Sequence, residues 1–136
     1  MALNLSPEPG VKLTKKDKAH VLKKMKQGWK ATCLIPDYVF DENGDIQIGS
    51  NINRRIVKTV KIKEDGIYIE KALKNKTLRV PFSKITEINN SKEVRDGLEI
   101  KMNDGKYVAF SIYNSYKIQQ IKEFIANYMV EKNKNN

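Results

Sequence analysis

Leu98-Glu99-Ile100-Lys101-Met102-Asn103-Asp104-Gly105-Lys106-Tyr107-Val108-Ala109-Phe110-Ser111-Ile112 carries the pattern that decides the fold. Leu98, Ile100 and Met102 alternate with Glu99 and Lys101, and Val108, Phe110 and Ile112 alternate with Tyr107, Ala109, Ser111 and Tyr113. A period of two sends successive side chains to opposite faces of a strand. Asn103-Asp104-Gly105 supplies residues that tolerate the positive φ of a tight turn. The stretch therefore reads as an antiparallel hairpin with one buried face and one wet face.

Working back toward the N-terminus, the same pattern repeats between Trp29 and Tyr113. Ile56, Val60 and Ile62 alternate with Val57, Thr59, Lys61 and Lys63, and Leu78, Val80 and Phe82 with Arg79 and Pro81. Turns are expected at Asp41-Glu42-Asn43-Gly44-Asp45, at Glu64-Asp65-Gly66 and, more weakly, over Leu73 to Lys76. Two helices flank these strands. Thr14-Lys15-Lys16-Asp17 has the form of a capping box and opens a helix over 15–27, with Leu22, Met25, Trp29, Val21 and Ala19 inward and Gly28 at its end. At the other end, Asn114 or Ser115 caps a helix over 115–131. Its Ile118, Ile121, Phe124, Ile125, Tyr128 and Met129 form one stripe, with Gln119, Gln120, Glu123 and Asn127 toward solvent.

At 136 residues the chain has the length of one domain. Residues 1–12, with Ser6, Pro7, Pro9 and Gly10, read as a flexible tail, 13–131 as the domain and 132–136 as a frayed end. No apolar run approaches the roughly 20 residues that span a bilayer. The first residues lack the basic and apolar regions of a secretion signal, which points to a cytoplasmic protein or one peripheral to a membrane. The lone cysteine, Cys33, closes no intrachain disulfide and forms no metal cage, in keeping with a reducing compartment.

From Lys61 onward the order of elements resembles the pleckstrin-homology-like (PH-like) superfold, particularly its GRAM and bacterial PH branches. The matching residues are Lys61-Ile62-Lys63-Glu64-Asp65-Gly66-Ile67-Tyr68-Ile69, then Leu78-Arg79-Val80-Pro81-Phe82-Ser83-Lys84-Ile85-Thr86-Glu87-Ile88, then Asp96-Gly97-Leu98-Glu99-Ile100-Lys101, the strand at 107–113 and the closing helix. The resemblance implies a mainly β chain with α elements: an antiparallel barrel or sandwich capped by a C-terminal amphipathic helix, here with an extra N-terminal helix. It also implies that an open sheet edge beside the closing helix takes an extended peptide. Lipid-binding members carry cations around the loop joining their first two strands. Here, with a first strand at Trp29 to Ile35, that region holds Asp37, Asp41, Glu42 and Asp45, so the phosphoinositide site of those members is not expected.

Twenty-six Lys and Arg against 16 Asp and Glu leave a net charge of +10. Residues 12–30 hold eight lysines and one acid, Asp17, so most of the excess lies early in the chain, in and beside the first helix. Such a surface favours nucleic acid, anionic lipid or an acidic protein. The candidate anion-binding residues are Lys16, Lys23 and Lys24, extended by Arg54, Arg55 and Lys58. A solvated lysine face is the plainer reading, because lysine-rich surfaces are common in chains that are also rich in Asn and Ile; against nucleic acid in particular, only Trp29 lies near the run to stack on bases, and it also fits the core. Catalysis finds no footing: the single histidine, His20, lies on the lysine face, Cys33 lies in a strand, and the turn carboxylates show neither metal-ligand nor calcium-loop spacing. No cofactor or metal is expected. The sequence thus points to a non-enzymatic PH-like module that binds a protein or peptide, as an assembly subunit of a bacterial, archaeal or mobile-element system. The alternative is electrostatic binding to nucleic acid or an anionic membrane through the lysine-rich helix.

Overall fold

Alternating apolar side chains bury one face of a strand only if its neighbours present theirs in register, and the registers found here do so. In a computed structural model that describes residues 1–40, 46–70 and 77–134, with backbone alone over 36–40 and 46–54, the strands are β1 (Ala2–Asn4), β2 (Trp29–Phe40), β3 (Ile46–Ile62), β4 (Gly66–Glu70), β5 (Thr77–Pro81), β6 (Ile85–Asn90), β7 (Gly97–Met102) and β8 (Tyr107–Ser111). The helices are α1 (Lys15–Gln27) and α2 (Ile118–Lys134), and a 3-10 turn covers Phe82–Lys84. The expected turns at 41–45 and 73–76 involve positions outside the described residues.

Among the described residues the strands form one sheet in the order β1-β6-β7-β8-β2-β3-β4-β5. Its pairings are antiparallel except for β1 with β6, which is parallel. The mixture of β-sheet and helices is present, but the end strands β1 and β5 do not pair, so closure into a barrel is not among the described pairings. Leu98 faces Phe110 and Ile100 faces Val108, and all four side chains are fully buried. Gly66 sits where β4 crosses β5 so tightly that a Cβ would lie 2.6 Å from the Val80 carbonyl oxygen.

The main core joins Trp29, Ala31, Cys33 and Ile35 of β2 to Val60 and Ile62 of β3, the inner faces of β4 to β8, and Ile121, Ile125 and Met129 of α2. Each fully buried Leu, Ile or Phe contributes about 1.5–3 kcal/mol, against about 0–1 kcal/mol for surface pairs such as Lys61–Glu70 and Arg79–Asp65, so burial decides this fold. The other sheet face is not wet throughout. Leu34, Val94 and Ala109 form a second cluster there with Tyr107 against it, because the segment 91–96 folds over β2 and β8. Tyr107 Oη donates to Glu93 Oε1 at 2.6 Å and Arg55 Nη2 to the Glu93 carbonyl at 2.9 Å.

Three expectations need correction. Residues 1–12 are not a loose tail: Ala2–Asn4 pairs with β6, and Leu3 and Leu5 pack on the core. On α1 the inward residues are Val21 and Met25, one turn apart, while Leu22 (45% exposed) and Ala19 face out; the helix is rotated so that Met25 leads into Trp29. On α2, which starts at Ile118 and runs to Lys134, Gln120 is buried rather than solvated, because the N-terminal segment lies over it: its Nε2 donates to the Glu8 carbonyl at 2.7 Å.

The capping box at Thr14 and Asp17 forms, with Asp17 N–H donating to Thr14 Oγ1 at 3.1 Å and Thr14 N–H to Asp17 Oδ2 at 2.9 Å. Asp17 also takes Lys117 Nζ at 2.7 Å, tying α1 to the start of α2. These bonds, that from Lys117 first, hold the Asp17 carboxyl at about 2, below its ordinary 3.8. A depressed carboxyl stabilises the folded state above its unfolded pKa and loses that contribution as pH falls through the folded value. Thermal melts should therefore show Asp17→Ala less stable than the parent at pH 5, with the gap closing between about pH 4 and pH 2. Trp29 is 5% exposed and its Nε1 donates to the Ser111 carbonyl at 2.8 Å. Trp29→Ala should cost about 3–5 kcal/mol and Trp29→Phe about 1–3 kcal/mol, read by denaturant titration followed by circular dichroism.

Candidate functional site

Two surfaces stand out. The first is the β6 edge beside α2. Ile85 and Ile88 of β6 point into the core, leaving its outer backbone edge for another strand, and Ala2, Leu3 and Asn4 take it, paired with Glu87, Ile88 and Asn89. Leu3 and Leu5, two apart, drop half-buried side chains against the core, as an extended segment on an edge must. Asn4 Nδ2 donates to Asn89 Oδ1 at 2.6 Å, and Asn89 Nδ2 in turn to Glu99 Oε2 at 3.2 Å. The chain then runs along α2, where the Glu8 carbonyl accepts from Gln120 and the Lys12 carbonyl accepts from Lys117 Nζ at 3.1 Å. Close by, Lys122 is buried at 3% exposure with its Nζ 3.2 Å from Asn90 Oδ1, and burial lowers its pKa, opposed by the charge of Asp96.

The second is a cleft of about 480 Å³ between α1 and residues 113–117, which lead from β8 into α2. Because Val21 and Met25 dock inward, Lys16, His20 and Lys24, spaced by four, line one flank of α1 along it. Opposite stand Tyr113, Asn114, Ser115, Tyr116 and Lys117. Tyr113 has His20 edge-on at 5.9 Å between ring centroids, Trp29 edge-on at 5.9 Å, and Lys24 Nζ 5.7 Å from its centroid. Its hydroxyl is the one buried side-chain polar atom without a hydrogen-bond partner among the described residues. Burial, and then the charge of Asp17, raise its pKa, so it stays protonated. Tyr116 at the mouth is 86% exposed.

The structure divides the candidate cations. Lys16 and Lys24 line the cleft, whereas Lys23 is exposed outside it. Arg55 and Lys58 point to opposite faces of β3, since Arg55 pairs with Leu34 and Lys58 with Ala31, so they extend no common patch. The Arg55 guanidinium is engaged by Glu93. Arg54 is described by its backbone alone, and the acids at 41–45 are outside the described residues. Cys33 is fully buried, which pushes its thiol up to about 11, the wrong direction for a nucleophile. Among the described residues no group of three His, Cys, Asp or Glu is placed to hold a metal ion, and no helix is long and apolar enough to cross a membrane.

Sequence reasoning missed the self-occupied edge, for which the Leu3-x-Leu5 spacing was the available signal. It also missed the part of 113–117, for which there was none: the contact joins residues about 100 positions apart.

No protein-family model matches the chain, and no curated protein matches it. Among solved structures the fold is similar to that of Inner Membrane Complex Sub-compartment Protein 3 from Toxoplasma gondii, with a TM-score of 0.59 at 15% identity, covering 98% of this chain and 99% of that one. It is similar also to Inner Membrane Complex Sub-compartment Protein 1 from the same organism, with a TM-score of 0.59 at 12% identity over 89% of this chain and 97% of that one. These neighbours lend no support to a bacterial, archaeal or mobile-element setting. At such identities the likeness is one of fold, and it extends over almost the whole chain.

Proposed function

We propose that the chain is a non-enzymatic, PH-like interaction module that takes an extended segment of a protein partner on the β6 edge beside α2. The observation that carries this reading is that the chain's own Ala2–Asn4 already lies there as a strand paired with β6, and that the chain beyond it is held to α2 where Gln120 donates to the Glu8 carbonyl. Strand addition of this kind draws affinity from main-chain hydrogen bonds and specificity from alternate side chains. The PH-like assignment is supported by the strand order, two antiparallel meanders (β2 to β5 and β6 to β8) joined through β2 and β8, with α2 packed on the core they share. Both structural neighbours bear names that give a place in a cellular assembly rather than a reaction, which agrees with a role by association.

β1 is a weak cover. Three residue pairs, one exposed side-chain hydrogen bond and the half-buried side chain of Leu3 hold it, and exposed polar contacts contribute little. A partner competes with it, so apparent affinity is reduced by the fraction of molecules in which β1 is in place. Random extended peptides displayed on phage should be enriched on the full chain, and their amide chemical-shift changes should centre on Glu87–Asn90 and the facing turns of α2. Leu3→Asp, which expels β1, should tighten those peptides by about tenfold, equivalent to about 1.4 kcal/mol of released competition. Shifts centred elsewhere, or no effect of Leu3→Asp, would contradict the proposal.

A further inference from the structure

We infer that the cleft between α1 and residues 113–117 is a binding site for a phosphate monoester, distinct from the peptide edge. Asp17 and Lys117 satisfy one another at 2.7 Å. That leaves Lys16 and Lys24 as two positive charges facing the cleft with no carboxylate partner among the described residues, and His20 between them. A phosphate monoester near neutral pH carries a charge of about −1.5 to −2, which matches that pair, whereas a lone carboxylate would neutralise only half of it.

The opposite wall supplies neutral donors. The Tyr113 hydroxyl is buried without a partner, a condition that costs free energy unless something accepts its proton. Ser115 Oγ accepts from Lys117 N–H at 3.2 Å, which leaves its own hydrogen to give. Two of the groups against the Tyr113 ring, His20 and Lys24, line the cleft with it. Drawn toward a phosphate, both leave the tyrosine ring and open its hydroxyl to a phosphate oxygen. At about 480 Å³ the cleft accommodates the ester's organic part as well, with exposed Tyr116 at the rim to lie against it. The phosphate can belong to a soluble metabolite or to the headgroup of a lipid, since the recognition chemistry is shared.

Trp29, the single tryptophan, touches Tyr113 and reports on the cleft. Its emission should be followed while the full chain is titrated with glycerol 3-phosphate and, separately, with phosphatidylcholine vesicles containing phosphatidic acid. A saturable change is expected with at least one probe. A response to the soluble ester identifies a metabolite-type site, and a response to vesicles alone a headgroup site. Lys16→Gln with Lys24→Gln should weaken binding at least about tenfold, while Lys26→Gln with Lys30→Gln, an equal loss of charge outside the cleft, should change it less than about twofold. Tyr113→Phe should weaken binding about threefold or more without lowering the melting temperature, a combination that a merely structural hydroxyl would not produce. No saturable response to either probe, or equal losses in the two double variants, overturns the inference.

Discussion

The junction of β2 with β8 is the constraint on which the rest of the molecule depends. Among the described residues, two pairs span it, Cys33 with Phe110 and Leu34 with Ala109, yet it joins the meander β2 to β5 to the meander β6 to β8. Both faces of the sheet are dry at that point: Cys33 and Phe110 lie in the main core, and Leu34 and Ala109 lie under Val94. Two further bonds brace it, from Trp29 Nε1 to the Ser111 carbonyl and from Thr32 N–H to Ser111 Oγ at 2.9 Å. Buried apolar contact on both sides, with the backbone polar groups satisfied, makes a short ladder resistant to opening.

The placement of α1 follows from that junction. Gly28, at φ 89°, turns the chain from the helix directly into Trp29, and a Cβ there would meet Lys61 Cγ at 2.8 Å and Thr59 Cγ2 at 2.9 Å. With the turn so constrained, Val21 and Met25 point inward and the flank Lys16-His20-Lys24 is carried over Tyr113, just beyond β8. The cationic cleft is thus a by-product of how a helix must enter the strand that holds the sheet together. The β6 edge, at the far end of the order, lacks such bracing. A strand end left unpaired invites pairing, and the chain covers it with its own three-residue strand.

How much of this was legible in the sequence depends on whether the signal was local. The hairpin at 98–112, the capping box at Thr14 and the inward Ile121, Ile125 and Met129 follow from periodicity and turn chemistry, which act between near neighbours. The rotation of α1 was not legible, because Leu22 and Val21 fit an apolar stripe equally well and the tight entry at Gly28 chooses between them. The burial of Gln120, and of Ala109 on the face expected to be wet, could not be read either. Each is covered by a segment distant in sequence, 1–12 in one case and 91–96 in the other. The same holds for the candidate sites: the i, i+4, i+8 spacing of Lys16, His20 and Lys24 was visible, but the wall opposite them was not, and Arg55 and Lys58 were grouped with them although the strand period of two sends that pair to opposite faces.

In the proposed role, β1 is a displaceable cover over the β6 edge rather than a permanent strand. Native-state amide hydrogen exchange on the full chain tests this most directly. The account predicts that the amides bonded between Ala2–Asn4 and β6 exchange by local opening, far faster than the β7 to β8 ladder at Leu98 and Ile100. Exchange of both sets at one common rate, set by global unfolding, would contradict it.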